Sequence, residues 1–164
     1  MDHNNLLVFG RRMHNGFRRL LITDGDGSNH WVANPQLMEH NLCGVYLVGA
    51  LAHLEGNFGT YCWNDPGQSH QTLADFVHNH PRQNIHASGI DGATLDALAC
   101  VRNAFTHNDN DLSLNRDQTS LQQVTNAGFP GLTLNGSSVT LEQPFMDFTR
   151  LCFVVTALYK GVTV

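Results

Sequence analysis

PQLMEHNLCGVYLVGALAHLEGNFGTYCW, residues 35–63, opens on a proline and then runs nearly uninterrupted by polar residues through its middle. Proline at a first helical position costs nothing, because its fixed φ suits the helix and its missing N–H would have had no partner there. From Leu42 to Leu54 the segment is apolar nearly all round. A helix without a polar face must be surrounded by other elements, so this stretch predicts a buried central helix with a bundle around it. Gly44 and Gly49 lie within it. Glycine weakens a helix by about 1 kcal/mol relative to alanine, and its presence there predicts close approach by a neighbouring helix.

On the N-terminal side, Leu6, Phe9, Met13, Phe17, Leu20 and Leu21 recur at three- and four-residue steps, which predicts a helix from about Asn5 to Ile22. Arg11, Arg12, Arg18 and Arg19 fall mainly on its other faces and read as a solvated surface. TDGDGSNH then stops the helix. Its Asp24 and Asp26 lack the twelve-residue ligand spacing of a calcium loop, so a turn is expected. On the C-terminal side, NDPGQS breaks the chain, and TLADFVHNH makes a weaker helical segment ended by Pro81. A further helix begins near Ile90 or Asp91 and runs through DGATLDALACVRNAFTH, with Leu95, Leu98, Ala99 and Phe105 as its apolar stripe. Asn108-Asp109-Asn110-Asp111 ends it, because these side chains compete for local backbone groups. Leu132, Leu134, Val139 and Leu141 alternate around Asn135-Gly136, a hairpin signal. A last helix follows Pro144, with Phe145, Phe148, Leu151, Cys152, Val155 and Leu158 on one side. The expected architecture is all-α: one domain over residues 1–164, a helical bundle of about four to five helices with a small β-hairpin inserted before the last helix.

Composition narrows the function classes. Hydrophobic residues make up 41% and charged residues 14% of 164 residues, enough apolar content for one substantial core without a disulfide or metal staple. The formal net charge is −5, so no whole-molecule attraction draws the chain to nucleic acid or acidic lipid, and a nucleic-acid function needs a local cationic site. Cys43, Cys62, Cys100 and Cys152 are far apart and form no metal-binding pair; buried free thiols in a reducing compartment are expected. The N-terminus carries no signal-like apolar segment, and no apolar run reaches membrane-span length. A cytoplasmic protein with no membrane partner and no cofactor is expected.

The chemistry-bearing pattern is Arg102-Asn103-x-x-x-His107 at the end of a helix. Asn103 and His107, at i and i+4, stack on one face. Arg102 is about 140° round the helix from His107, but its long stem can bend towards that face. A guanidinium grips phosphate in a bidentate manner, and an imidazole can give or take a proton near neutral pH. Together they meet the needs of RNA cleavage by its own 2′-hydroxyl: proton transfer, and a fixed cation for the charge on pentacoordinate phosphorus. The competing reading is structural, since cations also stabilise the C-terminal end of a helix.

RNAFTH resembles the signature of the HEPN superfamily (the higher-eukaryote and prokaryote nucleotide-binding domain), an all-α bundle marked by Arg-x(4–6)-His with a polar residue after the arginine. The match falls on Arg102, Asn103 and His107, and the acidic and Asn-rich stretch followed by a hairpin is similar to a plasmid- and phage-associated subfamily. The resemblance implies metal-independent endoribonuclease activity on an RNA substrate, at a composite site where two motifs meet across a homodimer two-fold. It also implies a role as a toxin, with an antitoxin protein as partner, or in phage defence. Some relatives are non-catalytic nucleotide- or protein-binding modules, which is the alternative.

Other polar residues carry less. His78, His80 and His86 lack a second ligand set and read as surface histidines. His53 on the central helix reads as a satisfied core histidine. Glu55 lies amid apolar residues, so it must be at an edge or paired, and Arg102 is a candidate partner.

Overall fold

The computed structural model of the chain describes residues 8, 11–20, 35–64, 92–115 and 119–162, with side chains described as far as residue 53 in the second helix and residue 152 in the last. The protein is mostly helical. Residues 11–20 form α1. It is followed by α2 (Pro35–Asn64), α3 (Gly92–His107), a short 3₁₀ turn (Leu112–Leu114), α4 (Ser120–Ala127), β1 (Leu132–Asn135), β2 (Ser138–Leu141) and α5 (Gln143–Val162). No helix among the described residues is long and apolar enough to cross a membrane.

The long helix that starts at Pro35 is central, but it is not surrounded on all sides as expected, since Val45 and Ala52 are exposed. α2 packs against α5, α3 and β2. Cys43, Tyr46, Leu47, Ala50 and Leu51 are buried in one cluster with Leu95, Leu98 and Val101 of α3 and with Phe145, Met146 and Cys152 of α5. Each fully buried leucine contributes roughly 1.5–3 kcal/mol by leaving water. Gly44 and Gly49 of α2 each meet a neighbouring helix. A Cβ on Gly44 would overlap the Phe105 ring of α3, and one on Gly49 would sit 3.2 Å from the Met13 sulfur of α1.

α1 docks through Met13 and Phe17, as its periodicity predicts, but also through the buried His14. The His14 and Phe17 rings meet Tyr46 edge-on at centroid distances of 5.6 and 6.0 Å. His14 Nε2 lies 3.2 Å from Asp147 Oδ1 of α5, and Arg18 Nε lies 3.8 Å from the same oxygen. Arg18 is therefore paired with α5 although, like Arg11, Arg12 and Arg19, it is exposed. Leu20, expected in the apolar stripe, is also exposed.

The hairpin lies where the alternation places it, with Leu132 opposite Leu141 and Leu134 opposite Val139. Its turn sits one residue later than the Asn-Gly pair suggests. Asn135 pairs with Ser138 as the last rung, so Gly136 and Ser137 make the loop. Gly136 takes φ 64° at the first loop position, the conformation that a turn with glycine there demands.

Two consecutive residues of α2 anchor the hairpin and the start of α5. His40 Nδ1 accepts the Leu141 N–H at 3.0 Å, and Glu39 Oε1 accepts the Gln143 N–H at 2.6 Å. A carboxylate at the first amide of a helix satisfies an orphan donor and faces the positive end of the helix dipole. His40 is buried, and burial pushes its pKa down, with the Asn110 side chain beside it opposing the shift. His14 is also pushed down, by burial first; Asp147 opposes that, and Arg150 and Arg18 add to it.

In α5 the buried side chains are Phe145, Met146, Thr149 and Cys152, with Phe148 partly covered, whereas Leu151 is 51% exposed. The expected stripe thus holds at Phe145, Phe148 and Cys152 and fails at Leu151, while Val155 and Leu158 lie outside the described side chains. Burial pushes the Cys43 and Cys152 thiols up to about 12, in keeping with inert core thiols.

Candidate nucleic-acid site at the end of the third helix

α3 has two working faces. Leu95, Leu98, Val101 and Ala104 are buried towards the core, and Phe105 fills the space beside Gly44. Asp96, Ala99, Cys100, Asn103 and His107 recur at steps of three and four, so they share the other face. This second face, together with Leu114 and Asn115 from the 3₁₀ turn and Ser120 and Gln123 from α4, lines an open cleft of about 830 Å³. Ala99, expected in the apolar stripe, is a wall of this cleft instead.

The helix stops where the Asn/Asp run begins. Asp109 and Asn110 adopt φ of 49° and 65°, a left-handed conformation that short polar side chains tolerate better than most. The Asn108 and Asn110 N–H groups both donate to the Ala104 carbonyl, at 3.1 and 3.0 Å. The chain beyond is then zipped to the hairpin. Val139 N–H donates to the Asn110 carbonyl and Leu112 N–H to the Ser137 carbonyl, both at 2.9 Å. Asp111 Oδ1 accepts the Ser113 N–H at 2.8 Å and its hydroxyl at 2.7 Å. Those Ser113 bonds, with one from Ser137, hold the Asp111 carboxyl below its ordinary range. The exit of the helix is thus fixed by backbone pairing on its far side.

This scaffold sets the three motif residues. His107 is exposed at the cleft rim and Asn103 is a half-buried part of its wall. Arg102 is half-buried, and its Nε–H donates to Asn103 Oδ1 at 2.9 Å. Its guanidinium does bend towards the Asn103 side, although Arg102 is not among the residues lining the cleft. Thr106 donates its hydroxyl to the Arg102 carbonyl one turn back. The expected Glu55–Arg102 pairing falls on a side chain outside those described, and His78, His80 and His86 lie outside the described residues. Among the described residues no group of three His, Cys, Asp or Glu side chains is placed to hold a metal ion.

α4, which supplies Ser120 and Gln123 to the cleft, has no periodic signal in the sequence. SLQQVTNA carries only Leu121 and Val124 as large apolar residues, too few for a periodic signal. The one usable clue is Gly128, which ends the helix at φ 58° with its N–H on the Val124 carbonyl, a common helix stop. Cys100 was expected to be a buried core thiol. It is half-buried in the cleft wall, where its Sγ–H donates to Gln123 Oε1 at 3.1 Å. Asn115 bridges both sides of the motif, accepting from Asn108 Nδ2 and donating to the Cys100 carbonyl at 3.2 Å.

Comparison with protein-family models, curated proteins and solved structures finds no match.

Proposed function

We propose that the chain is a metal-independent endoribonuclease of HEPN type, acting as a homodimer. The observation that carries this reading is that Asn103 and His107 share one open cleft while Arg102 is bonded to Asn103 beside it. In the proposed reaction His107 takes the proton of a ribose 2′-hydroxyl. The 2′-oxygen forms a bond to the adjacent phosphorus, and the bond from phosphorus to the 5′-oxygen breaks. That oxygen leaves with a proton, giving a 2′,3′-cyclic phosphate and a 5′-hydroxyl. Arg102 neutralises charge on the phosphoryl oxygens and Asn103 orients the phosphate or ribose. A second imidazole eases protonation of the leaving oxygen. With one motif per chain, a two-fold axis next to the rim supplies it, because the same patch is used twice.

Purified protein incubated with single-stranded RNA in excess EDTA should produce fragments ending in 2′,3′-cyclic phosphate, and should sediment as a dimer at micromolar concentration. Cleavage that appears only on adding a divalent ion contradicts the mechanism. Cleavage by a species that sediments as a monomer removes the composite site. A toxin or phage-defence role, with an antitoxin held against the same face, belongs to this reading. The half-buried position of Arg102 outside the cleft walls favours a second reading, a non-catalytic nucleotide- or protein-binding module. RNA that is bound and left intact would support it.

A further inference from the structure

We infer that the cleft between α3 and α4, beyond His107, is a nucleobase subsite in which Gln123 selects a base presenting a carbonyl oxygen, and that Cys100 sets this selection by holding the Gln123 amide in one orientation. The inference rests on reading the cleft as an RNA site.

Charge favours a base over a phosphate here. Among the described residues lining the cleft there is no arginine or lysine, and Asp96 belongs to its wall. Beyond His107 that described lining offers a phosphate no cation to pair with, and a neutral planar ring needs none. Asp96 precedes His107 by eleven positions, roughly 16 Å along the helix at 1.5 Å per residue. The cleft therefore extends well past the one residue proposed to handle protons. Leu114, 63% exposed at the edge of the cleft, and Ala99 offer apolar surface for a base.

Amide orientation points the same way. Asn115 is spent on scaffolding, with its oxygen accepting from Asn108 and its nitrogen donating to the Cys100 carbonyl. Gln123 differs. Its oxygen accepts a hydrogen bond from the Cys100 thiol, while its Nε2 hydrogens have no acceptor among the described residues. Flipping the amide would turn an N–H donor onto sulfur, a weak acceptor, and lose the S–H···O bond. Gln123 therefore offers the cleft a donor and not an acceptor. A base carbonyl such as uracil O4 can accept from it. The exocyclic amino group that replaces that oxygen in cytosine would set two donors against each other, leaving both unsatisfied.

Uridine and cytidine are the probes, because they are uncharged, nearly isosteric and need no catalysis to be read. Titration of the full chain followed by NMR should show uridine bound roughly three- to tenfold more tightly than cytidine, the scale of one neutral hydrogen bond. Gln123→Glu presents acceptors only and should reverse the order. Cys100→Ala should bring the ratio towards one, while Cys100→Ser, which keeps a donor, should restore it. The serine rescue separates positioning from a general loss of packing, and it stands even if the Gln123 variant fails to fold. Equal affinity for both nucleosides, tighter cytidine binding, or no nucleoside binding by protein that cleaves RNA overturns the inference and leaves the nuclease reading standing. The predicted ratio in protein that leaves RNA intact supports the subsite and removes the nuclease reading instead.

Discussion

The two faces of α3 are built on opposite principles. Towards α2, Leu95, Leu98, Val101 and Ala104 are all but inaccessible, and Phe105 lies so close to Gly44 that no β-carbon fits between them. Towards α4, Asp96, Cys100, Asn103 and His107 line an open cleft that is crossed by polar contacts such as Cys100 to Gln123. The first face holds the helix rigid by close packing. The second also packs on α4 through Val124 and Leu121, but it leaves an open cleft that can carry groups that are poor core residues. Substitutions on the first face should therefore change stability, and those on the second should change chemistry with little change in stability.

The sharpest way to break that division is to empty the packed face. Leu98→Ala removes a fully buried side chain and should cost about 2–5 kcal/mol, the range for buried leucine truncation, measured by urea unfolding. A cost below 1 kcal/mol would mean that the face is not close-packed. Overfilling the same contact should be milder. Gly44→Ala forces the Phe105 ring to move and should cost about 1–3 kcal/mol, and a Phe105→Leu background should relieve part of it.

Acid should act on the scaffold next. His40 and His14 are both pushed below their ordinary 6.5 by burial. Between the folded and unfolded values the unfolded chain binds more protons, so stability falls as pH drops through 6.5 and is lost progressively towards the lower folded values. His40 must give up the Leu141 N–H bond when Nδ1 is protonated. Thermal unfolding at pH 7 and pH 5 should show this loss, and His40→Gln should flatten the part due to His40. A midpoint unchanged with pH would contradict the buried, neutral assignment.

The smallest expected effect has the opposite sign. The Tyr46 hydroxyl is buried with no hydrogen-bond partner among the described residues. Tyr46→Phe removes an unsatisfied polar group without changing packing, and should raise stability by about 1 kcal/mol.

What the sequence could and could not reveal follows the same division. α2, α3 and α5 are legible because their apolar residues repeat along their own length, and β1 and β2 because Leu132, Leu134, Val139 and Leu141 alternate. Local chemistry also marked the end of α3, where Asp109 and Asn110 turn left-handed. Features that depend on distant partners are not legible. His40 meets Leu141 across 101 positions, and no pattern near either residue announces it. The cleft combines α3 with a helix too short and too polar to be seen, so Ser120 and Gln123 were missed although Asn103 and His107 were not. The exposure of Leu151 has the same origin. It is as apolar as its neighbours, and packing against the rest of the molecule, not local sequence, leaves it outside while Thr149 is buried.

The proposal that the polar face of α3 cleaves RNA stands or falls on comparing His107→Ala with the unaltered chain on the same single-stranded RNA in EDTA. Cleavage should fall by about 10²-fold or more, the scale of a lost general acid–base, with an unchanged thermal midpoint because His107 is exposed. Equal cleavage by the two proteins would rule the proposal out.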